Sequence, residues 1–186
     1  DADTFITAMD VTLKTAKQFE GLEFVDFGGG IGVAYRPDEQ SINMVEFGDK
    51  VTERMKSFCS EYGKEVELKL EPGRFLVAES GFLLAKVNTK KSTEKHTFVG
   101  INTGFNHLAR PIMYGSYHKI INTSNVEDSK ESVVVAGNLC ESGDVFTQDE
   151  EGVEDREISK ITKGDILAIC NAGAYGFSMA SHYNSF

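Results

Sequence analysis

The spacing of apolar residues changes character near residue 75, and no other feature constrains the fold as strongly. Before that point, Phe5, Met9, Leu13, Ala16 and Phe19 recur at steps of three and four. Such spacing predicts an amphipathic helix, with Asp3 able to cap it and Gly21 able to stop it. Residues 22–27 then read as a short buried strand that ends in Gly28-Gly29-Gly30-Ile31-Gly32. Phe47, Val51, Met55, Phe58 and Tyr62 form a second helical stripe, stopped by Gly63. Val66, Leu68 and Leu70 alternate with charged residues as a second strand running into Glu71-Pro72-Gly73-Arg74. Strand, helix, strand with loops of this length builds a parallel sheet or an α/β barrel. Beyond it come short β-rich runs at 82–88, 97–101, 119–122, 133–136 and 166–171, parted by polar turns. A short helical piece near 178–183 is the only later break, so the second part predicts an antiparallel β-domain.

The expected organisation is therefore an α/β unit over residues 1–78 followed by a β-rich domain over 79–186. Two parallel strands cannot close a barrel, which takes about eight. Either a small open sheet forms, or the rest of a barrel lies in sequence outside this chain.

Composition narrows the partners. A net charge of −10 and a pI near 4.9 argue against nucleic acid or an anionic membrane surface, both of which need clustered Lys and Arg. No apolar run approaches the roughly 20 residues that span a bilayer. Cys59, Cys140 and Cys170 are odd in number and form no CxxC pair, which points to a reducing, cytoplasmic compartment. His96, His107, His118 and His182 lack metal-ligand spacing, so no metal is expected. The acidic stretch 148–157 reads as a solvated loop.

Five segments can carry chemistry. The glycine triplet after the first strand lets backbone N–H groups approach an anion, typically a phosphate, although a bare tight turn would look the same. It matches neither a Walker loop, lacking Gly-Lys-Ser/Thr, nor a GxGxxG dinucleotide fingerprint, where Val33 or Tyr35 would fall on the last position. Glu71-Pro72-Gly73-Arg74 closes the second strand, at the sheet end where such enzymes place their chemistry. There Glu71 suits a protonated ring nitrogen and Arg74 a carboxylate or phosphate; a simple Glu–Arg ion pair is the plainer alternative. Arg110 precedes Pro111, which predicts an extended backbone at Arg110, and Tyr114 lies four residues on. The pair suits a carboxylate or amine, but a surface Arg and a core Tyr would read identically. In Cys140-Glu141-Ser142-Gly143-Asp144 a thiol beside an acid on a turn is a candidate proton donor or nucleophile. A small buried hydrophobe is the commoner fate of a free cysteine, and it is the reading applied to Cys59 and Cys170. Tyr175, in Ala172-Gly173-Ala174-Tyr175-Gly176, sits between small residues where its ring and hydroxyl can meet a ligand or merely pack.

Taken in order, DFGGGIG from Asp26, EPGR from Glu71, GFNHLARPIMY from Gly104, CESGD from Cys140 and AGAY from Ala172 closely resemble the diaminopimelate decarboxylase family. These are fold-type III pyridoxal-phosphate enzymes, and the resemblance runs from near residue 22 to the C-terminus. CESGD discriminates it from the ornithine and arginine decarboxylases that share the fold. The resemblance implies a partial alanine-racemase-like (β/α)8 barrel followed by an antiparallel β-domain, truncated at its end. It implies decarboxylation of meso-2,6-diaminopimelate to L-lysine and CO2 with pyridoxal 5'-phosphate, the last step of lysine biosynthesis.

Roles carry over by position. Gly30 would contact the cofactor phosphate, and Glu71, Pro72, Gly73 and Arg74 would line the cofactor, with Glu71 near the pyridine nitrogen. Arg74, Arg110 and Tyr114 would bind substrate, Glu141 its distal amino group, and Tyr175 both cofactor and substrate. Cys140 would return the proton, and its segment would act across the interface of a homodimer. Departures accompany these matches. The Schiff-base lysine has no counterpart, since Lys14, Lys69 and Lys86 lack a Tyr-Ala-x-Lys setting, and the ring-stacking histidine and His-x-Gly-Ser loop are missing too. His107 stands where Asp or another small polar residue is expected. This piece alone is therefore expected to be inactive. Two alternatives remain: a decarboxylase of another diamino acid such as carboxynorspermidine, and a non-catalytic regulatory homologue.

Overall fold

The computed structural model describes residues 2–126 and 129–186; Asp1, where the first expected domain begins, lies outside them. The chain divides into two compact units, one running to Ala34 and resuming over Asp38–Leu76, the other made of Tyr35–Pro37 with Val77–Phe186.

In the first unit, α1 (Ala2–Ala16) buries Ile6, Met9, Leu13 and Ala16, the residues its spacing marks. Phe19 falls beyond the helix end and is 58% exposed, so the apolar stripe overran the helix by one turn. Asp3 lies inside the first turn rather than capping it, and its carboxylate meets Lys50 at 3.3 Å. β1 (Phe24–Asp26) follows. α2 (Met44–Tyr62) is capped by Asn43, whose Oδ1 accepts from the N–H groups of Val45 and Glu46. It ends at Gly63, left-handed at φ 78°, and buries Phe47, Val51, Met55 and Phe58. β2 (Glu67–Lys69) pairs parallel to β1 with Val25 opposite Leu68. Buried faces of both helices close over Val25, Ile31 and Val66 to make this unit's core. α3 (Gly73–Val77) starts directly after Pro72, so the expected EPGR turn is also a helix start.

The second unit is a six-stranded sheet in the order β5-β10-β3-β4-β6-β9. Its strands are β3 (Leu83–Ser92), β4 (Thr97–Ile101), β5 (Ile120–Asn122), β6 (Lys130–Ala136), β9 (Arg156–Ser159) and β10 (Ile166–Ile169). β7 (Gln148–Asp149) and β8 (Gly152–Val153) form a separate small hairpin. One face packs Val87, Val99, Ile101, Val133, Val135, Leu167 and Ile169, as period-two alternation requires. The Asn122 amide donates to Lys160 O at 2.9 Å, tying the β5 edge to the chain leaving β9 and nearly closing the sheet.

Three expectations are corrected. The sheet is mixed, not wholly antiparallel: β4 and β6 run parallel, because the long connection between them crosses over and re-enters in the same direction. The stretch 148–157 is not merely a solvated loop. It holds the β7–β8 hairpin and the start of β9, where Arg156 is buried opposite Val133. Arg110 is not extended but opens α4 (Arg110–Tyr114), with Pro111 in a first helical turn that needs no N–H there. The late helical piece is two short 3-10 turns, Phe177–Met179 and Tyr183–Ser185. Among the described residues no helix is long and apolar enough to cross a membrane.

Candidate functional site

Candidate residues gather at the C-terminal ends of β1 and β2 in the first unit. Gly28 and Gly30 take left-handed φ values of 66° and 91°, which bend the chain sharply after the strand. Asp26 Oδ1 accepts the Gly28 N–H at 2.8 Å, fixing the start of the bend. The Glu71 N–H donates to Gly28 O at 2.8 Å, and a Cβ on Gly29 would stand 2.6 Å from Glu71 O. The glycine triplet and the EPGR segment are thus one joined structure. A side chain at Gly28, Gly30 or Gly32 would meet nothing within 4 Å, so the loop's outer face is open to a ligand. Glu71 and Gly73 are exposed, while Pro72 and Arg74 are half-buried.

In the second unit the CESGD segment is locked from within. Asp144, 3% exposed, accepts the Phe105 N–H at 2.7 Å and the Leu139 N–H at 2.9 Å. Burial raises its pKa, against the two N–H donors and reinforced by nearby Glu141. Cys140 is exposed on this turn, so the small-buried-hydrophobe reading does not describe it; Cys170 is buried and Cys59 half-buried. Glu141 Oε1 accepts the Gly143 N–H at 3.2 Å, and Oε2 accepts the Tyr183 hydroxyl at 3.1 Å. Those donors, Gly143 first and then Tyr183, hold the Glu141 carboxyl below its ordinary pKa, so it is a carboxylate at neutral pH.

Arg110 is buried at 6% exposure and donates to Ser116 Oγ at 3.0 Å. Its guanidinium lies 4.9 Å from the Tyr35 ring centre and 5.9 Å from that of Tyr175. The structure therefore brings Arg110 and Tyr175 together, whereas Tyr114, on the last turn of α4, is 57% exposed. Tyr175 holds a left-handed φ of 59°, unusual for a tyrosine. His107 is exposed, its Nδ1 2.8 Å from Thr103 Oγ1. Beside Arg110 lies a group that sequence reasoning missed. His118 is fully buried and donates from Nδ1 to Cys170 O at 2.8 Å. Burial, with help from the charges of Arg110 and Arg156, lowers its pKa to about 4 and keeps it neutral. Arg156 stacks 4.0 Å over Tyr117 and donates to His118 O at 2.9 Å. No local spacing marks His118, Asp144, Arg156 or Tyr183, because their partners come from distant strands.

The second unit thus carries an exposed thiol next to a fixed carboxylate and a ring-flanked arginine, and the first unit an open glycine loop. Residues 6–173 match the family model described as pyridoxal-dependent decarboxylase, C-terminal sheet domain. The chain belongs to this family. The diaminopimelate decarboxylase of Methanothermobacter thermautotrophicus is 43% identical over 192 residues, covering 100% of this chain and 43% of the relative. A crystal structure of diaminopimelate decarboxylase superposes with a TM-score of 0.92 at 38% identity, covering 100% of this chain and 46% of that one. The diaminopimelate decarboxylase of M. jannaschii, solved in complex with L-lysine, gives a TM-score of 0.86 at 41% identity, over 100% of this chain and 42% of that one. The chain thus spans less than half the length of the decarboxylases it matches.

Proposed function

We propose that the protein to which this chain belongs removes CO2 from meso-2,6-diaminopimelate, giving L-lysine, with pyridoxal 5'-phosphate as cofactor. The observation that carries the proposal is the exposed Cys140 thiol beside a Glu141 carboxylate held by Gly143 and Tyr183. A proton source next to a fixed anion suits a substrate with a second amino group far from the reacting carbon. The names of the relatives support the same reading.

In this reading the first unit is the C-terminal part of an alanine-racemase-like barrel and residues 79–186 are the β-rich domain. The open glycine loop fits a phosphate: Gly30 would hold it through backbone N–H groups, with Glu71, Pro72, Gly73 and Arg74 lining the rest of the cofactor. Tyr175 would touch cofactor and substrate. When bound, pyridoxal phosphate supplies an electron sink for the pair left behind as CO2 departs. The chain's own residues do the remainder. Arg74, Arg110 and Tyr114 bind and orient substrate carboxylates, Glu141 takes the distal ammonium, and the Cys140 thiol delivers the proton that replaces the lost carboxyl. A homodimer, with the Cys140–Glu141 turn serving the partner's site, and a cytoplasmic location complete the proposal.

The test is turnover by the intact protein with added pyridoxal phosphate, following CO2 and lysine. Diaminopimelate is expected to be the preferred substrate over ornithine, arginine and carboxynorspermidine, and Cys140→Ser is expected to lower kcat by about a hundredfold. A preference for another diamino acid, or no turnover at all, would overturn the reading.

A further inference from the structure

The last described turn, Tyr183–Ser185, belongs to none of the segments assigned a role, yet it grips the CESGD segment at two points. The Tyr183 hydroxyl donates to Glu141 Oε2 at 3.1 Å, and Asn184 Nδ2 donates to Cys140 O at 3.4 Å. The turn is itself anchored. Tyr183's ring lies 4.9 Å from that of Phe105, whose N–H is bound by Asp144 of the same CESGD segment. Just upstream, the Ser181 N–H donates to Asn106 O at 2.8 Å. Asn184 and Ser185 both take left-handed φ values, 56° and 63°, so the backbone is bent to present these side chains.

We infer that Tyr183 is a positioning residue that aims the Glu141 carboxylate and thereby sets selection for a substrate bearing a distal ammonium group. The inference rests on the proposed role of Glu141. A glutamate on a turn has three rotatable bonds, and an acceptor free to swing loses part of its binding energy to ordering. Here Gly143 fixes one oxygen and Tyr183 the other, so the carboxylate is held in one orientation while each oxygen keeps further acceptor capacity. The bond also raises the Tyr183 pKa, which keeps the phenol a donor beside the ionised Glu141.

The experiment uses the intact enzyme in four forms: wild type, Tyr183→Phe, Glu141→Gln and the double variant. Tyr183→Phe is expected to raise KM for meso-diaminopimelate about fivefold to tenfold while kcat stays within about twofold, the loss of one hydrogen bond to a charged group. In the Glu141→Gln background the tyrosine change is expected to add little, since its effect runs through the carboxylate. The Phe variant keeps the ring on Phe105, and its bound-cofactor absorbance reports folding. Should it fail to fold, Phe105→Leu, which loosens the ring but keeps the hydroxyl, is expected to raise KM in the same direction. A large KM effect of Glu141→Gln with none from either Tyr183→Phe or Phe105→Leu overturns the inference alone. An unchanged KM in Glu141→Gln overturns the role of Glu141 and the inference together.

Discussion

Two glycine turns, one in each unit, use the residue in different proportions for two purposes, backbone conformation and close packing. At 28–30 Gly28 and Gly30 are needed for their left-handed backbone, and the space a side chain would fill at either is empty, only Gly29 between them lying close to backbone, at Glu71 O. At 173–176 the φ values of the two glycines lie outside that region, but a Cβ on Gly173 would stand 1.8 Å from Val77 O, and one on Gly176 2.4 Å from Ala172 O. The first turn keeps its outer face clear for a ligand. The second spends its glycines on backbone contact and leaves the unfavourable φ to Tyr175. An open loop and a rigid platform for an aromatic ring thus look alike in composition and differ in mechanics.

The sharpest way to break this comparison is Gly173→Ala. Because the clash is with backbone, which cannot rotate away, the substitution is expected to cost more than about 3 kcal/mol, read from urea unfolding. A loss below about 1 kcal/mol would mean the turn is not packed as described. The second effect tests how tightly the second unit is closed around polar groups. His118 has a pKa of about 4 when folded, against an unperturbed value near 6.5, so protonation favours the unfolded chain. Its stabilising contribution is whole above pH 6.5, falls as the pH drops toward 4, and changes no further below that. The loss across this window is expected to be about 3 kcal/mol at most. His118→Asn is expected to remove that slope, even though the variant starts less stable at pH 7. Parallel slopes for the two proteins would show that His118 is not the titrating group. The smallest stability effect belongs to the open loop. Gly30→Ala meets no atoms and is expected to cost about 1 kcal/mol from its left-handed φ. In the intact protein it is expected to weaken pyridoxal phosphate binding far more than it weakens folding. Equal losses for Gly30→Ala and Gly173→Ala would erase the distinction between the turns.

What the sequence revealed follows the same division between local and distant causes. The buried faces of α1 and α2 and the Gly63 stop were legible because a helix writes its packing at spacings of three and four. The β4 run, 97–101, was legible in full. The parallel β4–β6 pairing was not, since neither strand carries a mark of its partner's direction. Arg110 was misjudged because the rule for a residue before proline competes with proline's preference for the first helical turn, and the turn won. Of the candidate site, the exposed thiol, the glycine loop and the arginine came from local motifs. Asp144 as a clamp, His118 as a buried neutral group and Tyr183 on Glu141 depend on partners 39, 52 and 42 residues away, which no motif spacing encodes.

The strand order has a consequence for how the second unit is made. β10, the last strand along the chain, lies between β5 and β3, which precede it by many residues. Until Ile166–Ile169 leaves the ribosome, β3 and β5 each present a bare edge, and the platform under Tyr175 has nothing to close on. A nascent chain halted before residue 166 is expected to be sticky and protease-sensitive, and a few more residues should convert it abruptly into a compact, resistant body.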